Sequence, residues 1–279
     1  MTISSNNNHI QTYLNNDVQL NKTLERVATG LMINRAADNA SALAISENLK
    51  VQASGLSQSI ENVNSALAMT QIGDKAMSEQ SNILDTVKKD LLQASTATTS
   101  QEGRDALLQK VQKSLEQLNN IASQTNYNGT NLLQAKADDA SATQSQEFQA
   151  GNGSSDTIET TSVQSNTQGL GLEGLLKQDP SSFTASSARS YLETVDKAIN
   201  TLNSYRADFG STANQLQSSN RNLATQYTST MEARSIITDI DYAKETSNFS
   251  KQNVLAQIGA MGLAQSANIT QQTVLRLLQ

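Results

Sequence analysis

Between residues 43 and 98 the apolar positions step three and four apart, as Ile45, Leu49, Leu56, Ile60, Val63 and Leu67, and the heptad continues through Met77, Leu84 and Leu91. This period predicts an amphipathic helix of coiled-coil type. No proline interrupts it, and Gly55 and Gly73 each cost only about 1 kcal/mol relative to alanine, so one helix of roughly 80 Å at ~1.5 Å per residue is expected. A second helix is marked by Leu108, Val111, Leu115, Leu118 and Ala122, after a Ser/Thr/Gln-rich turn at 98–103 that reverses the chain into an antiparallel hairpin. Asn126-Tyr127-Asn128-Gly129 ends it, because Asn-Gly readily supplies the positive φ of a turn. Helical spacing resumes at Leu192, Val195, Ile199, Leu202, Phe209, Ala213, Leu216, Leu223 and Tyr227, a third long helix able to pack along the first two.

The middle, residues 134–188, breaks the pattern. Five of the thirteen glycines fall within 151–174, and Pro180 is the single proline. Phe148-Gln149-Ala150 and Thr157-Ile158-Glu159-Thr160 flank a Gly151-Asn152-Gly153-Ser154 turn and fit a short β-hairpin; a flexible linker fits the same residues equally. Gly169, Gly171 and Gly174 have the spacing of a dinucleotide-binding loop, but no buried strand precedes them and no helix of that type follows, so that reading is discounted.

The two ends carry seams of their own: Leu20, Leu24, Val27 and Leu31 at the start, and Phe249, Val254, Ile258, Met261, Val274 and Leu278 at the finish. They predict a second, smaller helical layer. Exposing a large apolar side chain forfeits roughly 1.5–3 kcal/mol, a large share of a whole domain's stability of about 5–15 kcal/mol. Two helices packed only on each other bury one stripe and expose the rest, so the pattern implies either that the ends stay disordered in the monomer or that many copies bundle together. The expected fold is mainly α: a long helical bundle or coiled-coil rod with a small β-hairpin region, whose terminal helices pair into an inner coiled coil.

Composition narrows the function. Hydrophobic residues make up 37% of the 279 positions, aromatics 4% and charged residues 16%, the profile of long helices packed through aliphatic seams. The net charge of −6, with lysine and arginine scattered, argues against a nucleic-acid partner. No run of eighteen or more apolar residues predicts a membrane span, and the first thirty residues lack a basic start followed by an apolar stretch, so the chain reads as cytosolic or as exported by a route that needs no cleaved signal. With no cysteine and His9 as the single histidine, there is no thiol nucleophile, Ser-His triad or histidine pair for zinc. Asp239 and Asp241 are two apart and diverge on a helix, a spacing that suits capping better than catalysis. No catalytic, cofactor-binding or metal-binding residues are expected.

Specific segments carry a resemblance. Thr29-Gly30-Leu31-Met32-Ile33-Asn34-Arg35-Ala36-Ala37-Asp38-Asn39 resembles the opening motif of bacterial flagellins, with Met32 in place of the usual arginine and Asn39 in place of a second acid. Further matches are Gln124 to Gly129, Asp239-Ile240-Asp241-Tyr242-Ala243, Ser247-Asn248-Phe249-Ser250-Lys251 and Val274-Leu275-Arg276-Leu277-Leu278. The resemblance covers residues 1–133 and 189–279. Ala264-Gln265-Ser266-Ala267-Asn268 holds one residue more than the family pattern, a change that rotates a helix by about 100°.

The resemblance implies a self-polymerising, extracellular subunit of the flagellar filament used for motility. Residues 1–42 and 240–279 would be the two halves of an inner-tube coiled coil, 43–133 a helical hairpin of the rod, 134–188 a short variable region and 189–239 the return helix. Leu20, Leu24, Val27, Leu31, Phe249, Val254, Ile258, Val274 and Leu278 would pack the inner tube and neighbouring subunits. Implied partners are further copies of the chain, the flagellar export machinery and its chaperone, and the filament cap and hook-junction proteins. Ile83 to Lys88 is similar to flagellins of epsilon-group proteobacteria, and Asp85, Thr86 and Asp90 mark an altered immune-receptor site, which implies weak or absent recognition by the Toll-like receptor for flagellin. The alternatives are a hook-filament junction protein, or a secreted helical effector or translocator that inserts amphipathic helices into membranes.

Overall fold

A computed structural model describes residues 2–135 and 141–277. It contains five substantial helices: α1 (Thr2–Thr29), α2 (Ala40–Ala94), α3 (Gln101–Gln124), α5 (Ala185–Thr238) and α6 (Tyr242–Leu277), with the one-turn α4 (Glu173–Leu176) before a 3₁₀ turn at Pro180–Ser182. Two antiparallel two-stranded ribbons complete it, β1 (Asn126–Tyr127) with β2 (Thr130–Asn131), and β3 (Glu147–Gln149) with β4 (Thr157–Glu159). None of the described helices is long and apolar enough to cross a membrane. The chain divides into two compact units, residues 54–227 and residues 1–53 with 228–279, and α2 and α5 each contribute to both.

The central unit holds the core. On α2 a buried row runs through Leu56, Ser59, Val63, Ala66, Thr70, Gly73, Met77, Gln80, Leu84, Val87, Leu91 and Ala94 in alternating steps of three and four, with Met69 and Asp90 buried beside it. This is the a/d seam of a heptad. On α5 the steps of seven run Ala188, Val195, Leu202, Phe209, Leu216, Leu223. The α3 contribution is Leu108, Val111, Leu115, Leu118 and Ala122, the set expected from the sequence. Cross-helix polar contacts fix the directions. Gln80 donates to the Leu118 carbonyl at 3.1 Å and Lys110 pairs with Asp90 at 2.8 Å, so α3 runs antiparallel to α2. Arg206 meets Asp74 at 3.1 Å and Asn220 meets Asn64 at 2.6 Å, so α5 is antiparallel to α2 as well.

Gly73 shows how tightly these helices approach. A Cβ there would lie 2.5 Å from Cε1 of Phe209, so the glycine leaves room for the ring. The turn between β1 and β2 places Asn128 at φ +49° and Gly129 at φ +80°, the left-handed pair that a two-residue hairpin turn requires. The β3–β4 hairpin expected around Gly151 is present, and its Phe148, Ala150 and Ile158 pack against Leu56, Val63, Leu216 and Leu223. The loop beyond it is stapled down by side-chain amides: Gln80 to the Ser165 carbonyl at 3.1 Å, and Gln112 to the carbonyls of Leu176 and Gln178 at 3.1 and 2.9 Å. Gly169 and Gly171 lie in the approach to α4, and Gly174 lies within it.

One expectation is corrected on α2. Ile45 is expected at the head of the long core seam, yet it is exposed, and the row continues N-terminal to Leu56 through Ala53, Leu49 and Ser46. The reason is register: Ile45 lies one residue before Ser46, about 100° round the helix from it, and so falls outside the three-and-four row.

Candidate functional site

In the terminal unit α1 and α6 pair lengthwise and antiparallel. Asn16 donates to the Gln252 carbonyl at 3.1 Å, Thr23 donates to the Gln252 side-chain oxygen at 2.9 Å, and Arg26 reaches Glu245 at 3.6 Å. Gly259 sits against the Tyr13 ring. The mutual seam is therefore largely polar and small. Leu20, Val27, Leu31 and Phe249 are half-buried, whereas Leu24, Val254 and Ile258 are exposed. Beside these, Ile10, Leu14 and Val18 stand out from α1, and Leu255, Met261 and Ile269 from α6. Val274 lies within α6, and Leu278 lies outside the described residues.

The contrast between the units is the informative feature. Among the exposed large hydrophobic residues of the described chain, only Ile72 and Leu92 belong to the central unit; among the buried hydrophobic ones, only Ile33 and Ala53 belong to the terminal unit. The terminal helices satisfy each other with amides, hydroxyls and an ion pair, and turn their apolar rows outward. Ile10, Leu14 and Val18, and likewise Val254, Ile258, Met261 and Ile269, follow helical spacing along single faces. Sequence reading named Val254, Ile258 and Met261 but missed Ile10, Leu14 and Val18, although their repeated step of four was available as a signal. It also missed Asn16, Thr23 and Gln252, because polar residues leave no mark in a hydrophobic pattern.

Two of the motifs meet at the base of this unit. The link 30–39 and the link 239–241 pair through Leu31 and Asp239: Met32 N–H donates to the Thr238 carbonyl at 2.6 Å, and Ile240 N–H to the Gly30 carbonyl at 3.1 Å. Gly30 takes φ +73°, and a Cβ there would lie 2.9 Å from the Tyr242 hydroxyl. Asp38 accepts from the N–H groups of Asn34 and Arg35 at 3.2 and 3.1 Å. Those backbone hydrogen bonds, Asn34 first, hold its carboxyl below the ordinary carboxylate range. Arg35 clasps Glu25 at 2.7 Å, and Asn39 caps α2 by accepting from Ala42 N–H at 3.0 Å. Asp241 caps α6 in the same way, accepting from Lys244 N–H at 3.1 Å, while Asp239 receives a bond from Ser235. Both aspartates are occupied by helix ends.

The expected immune-receptor positions separate. Asp85 and Thr86 are exposed on α2, and Thr86 donates to the Asn82 carbonyl at 3.0 Å. Asp90 is 5% exposed and turned toward α3, where Lys110 binds one of its oxygens and the other has no partner. No set of three or more metal-ligating side chains converges among the described residues.

A family profile for the bacterial flagellin N-terminal helical region matches residues 2–138, and one for the bacterial flagellin C-terminal helical region matches residues 192–278. This chain belongs to the bacterial flagellin family. It is 31% identical to the flagellin of Bacillus subtilis, across 98% of this chain and 97% of that one. It is 30% identical to the flagellar filament 31.3 kDa core protein of Treponema maltophilum, across 92% of each. Flagellin B of Helicobacter pylori is 35% identical, but over 69% of this chain and 37% of its own length, so the similarity to that group is not distinctive. The crystal structure of Bacillus cereus flagellin superposes with a TM-score of 0.50 at 25% identity, covering 58% of this flagellin and 88% of that chain. A putative flagellar hook-associated protein from Vibrio parahaemolyticus shares the fold, with a TM-score of 0.59 at 11% identity over 72% of this chain and 99% of that one.

Proposed function

We propose that this flagellin is a structural subunit of a bacterial flagellar filament, which polymerises through its terminal helices and works mechanically. The observation that carries this reading is the outward apolar face of the terminal unit: Leu14, Val18, Leu24, Val254, Ile258 and Met261 are each half or more exposed. Surfaces of this kind mark protein–protein contacts. Leu20, Val27 and Phe249, half-buried on α1 and α6, and Leu31 in the link after α1 add apolar packing within the subunit to the polar contacts between those helices, and Leu24, Val254 and Ile258 meet neighbouring copies. The chaperone and export machinery would engage the same segments before assembly, and the cap and hook-junction proteins would bound the polymer. Full-length similarity to filament proteins favours this role over that of a hook-filament junction protein. Purified chain added to filament seeds tests the difference, since a filament subunit elongates them and a junction protein stops.

A narrower reading concerns recognition. Thr86, exposed on α2, and Asp90, turned toward α3, stand where the resemblance places an arginine and a leucine in many flagellins. The proposal is that this flagellin activates that receptor weakly or not at all, as the similarity of residues 83–88 to epsilon-group flagellins suggests. A reporter-cell response as strong as that to an activating flagellin overturns it.

A further inference from the structure

The methionines of this chain are sorted between the two units. Met69 and Met77 in the central unit are 7% and 0% exposed, while Met32, Met231 and Met261 in the terminal unit are 43%, 37% and 73% exposed. Met261 also has a specific place. With Val254, Ile258 and Ile269 it forms one exposed apolar row on α6, at steps of four, three and eight residues. No polar side chain is needed to explain that row, and a thioether is its single oxidisable member.

From this placement we infer that Met261 is a modification site: in the free subunit, peroxide converts its thioether to the sulfoxide, and the sulfoxide opposes polymerisation. The step balances without another reactant. One peroxide oxygen is transferred to sulfur, the sulfur is oxidised, the O–O bond breaks and the second oxygen leaves as water. A flexible apolar side chain becomes polar and acquires a strong hydrogen-bond acceptor, which must then be desolvated wherever the row is buried against a neighbour. Subunits awaiting assembly are the sensitive species, and Met261 in a polymer is shielded. The consequence for assembly rests on the filament reading above; the selectivity of oxidation rests only on exposure within the subunit.

Peptide mass mapping of the purified full chain treated with hydrogen peroxide, followed by sedimentation of polymer, tests both parts. Met261 is expected to gain one oxygen well before Met69 or Met77. The critical concentration for polymerisation is expected to rise by about tenfold, the equivalent of about 1.4 kcal/mol. Met261→Leu removes the sulfur and keeps an apolar side chain, so the critical concentration this variant shows before peroxide is expected to stay the same after it. The inference fails if Met77 oxidises as fast as Met261, if chain with Met261 fully oxidised polymerises normally, or if Met261→Leu is inhibited as strongly as the natural chain. Failure of untreated chain to polymerise contradicts the filament reading instead, and leaves the order of oxidation as the measurement that decides the modification site.

Discussion

Asp38 holds the turn between α1 and α2 with one carboxylate oxygen that accepts two backbone N–H groups. These bonds favour the charged form and set its pKa below that of the unfolded chain. The stabilisation is therefore present above the ordinary carboxylate range and disappears as the pH falls through the lower folded value. Hydrogen exchange at the Asn34 and Arg35 amides should be protected at neutral pH and lose protection in acid, and Asp38→Ala should remove it at both. Asp90 presents the other kind of carboxylate, buried and held by Lys110, whose own side chain is largely exposed. Lys110→Met should strand that charge and lower the stability of the central unit by about 1–3 kcal/mol, readable as a lower melting temperature. Asp90→Asn in the same background should restore part of the loss.

Among the elements, α2 shows what an amphipathic pattern records and what it omits. Val63, Met77, Leu84 and Leu91 stand out as a heptad and are fully buried. The intervening positions Ser59, Thr70, Gly73 and Gln80 are equally part of the seam, but their side chains are polar or absent and carry no hydrophobic signal. Each is explained only by its neighbours: Ser59 and Thr70 bond back to the carbonyls of Gly55 and Ala66, Gln80 bridges α3 and the 165 loop, and Gly73 accommodates Phe209. The five substantial helices and the β3–β4 hairpin were legible because periodicity, glycine and proline are local signals. The direction of the terminal faces was less so, since spacing shows that Leu20 and Leu24 lie on neighbouring faces but not which face a partner helix takes. Gly73→Ala separates propensity from packing. An isolated helix would gain about 1 kcal/mol, whereas here the methyl group meets the Phe209 ring, and a net loss of about 1–3 kcal/mol is expected from overpacking. Denaturant unfolding measures the sign, and Phe209→Leu in the same chain should relieve the loss.

At the scale of the molecule the two units divide the work. The central unit buries its own hydrophobic residues, while the terminal unit carries apolar rows whose burial requires another molecule. The family's terminal motifs are consistent with this division, because those around Gly30 and Asp239 build the base of the terminal unit. Replacing outward residues should therefore affect assembly far more than folding. The most direct measurement is sedimentation and electron microscopy of purified natural chain beside Val254→Ser/Ile258→Ser, with hydrogen exchange used to follow the central unit. Polymer from the natural chain, a loss of polymer in the double variant and unchanged protection at residues 54–227 are predicted. A double variant that elongates filaments as readily as the natural chain would contradict the account.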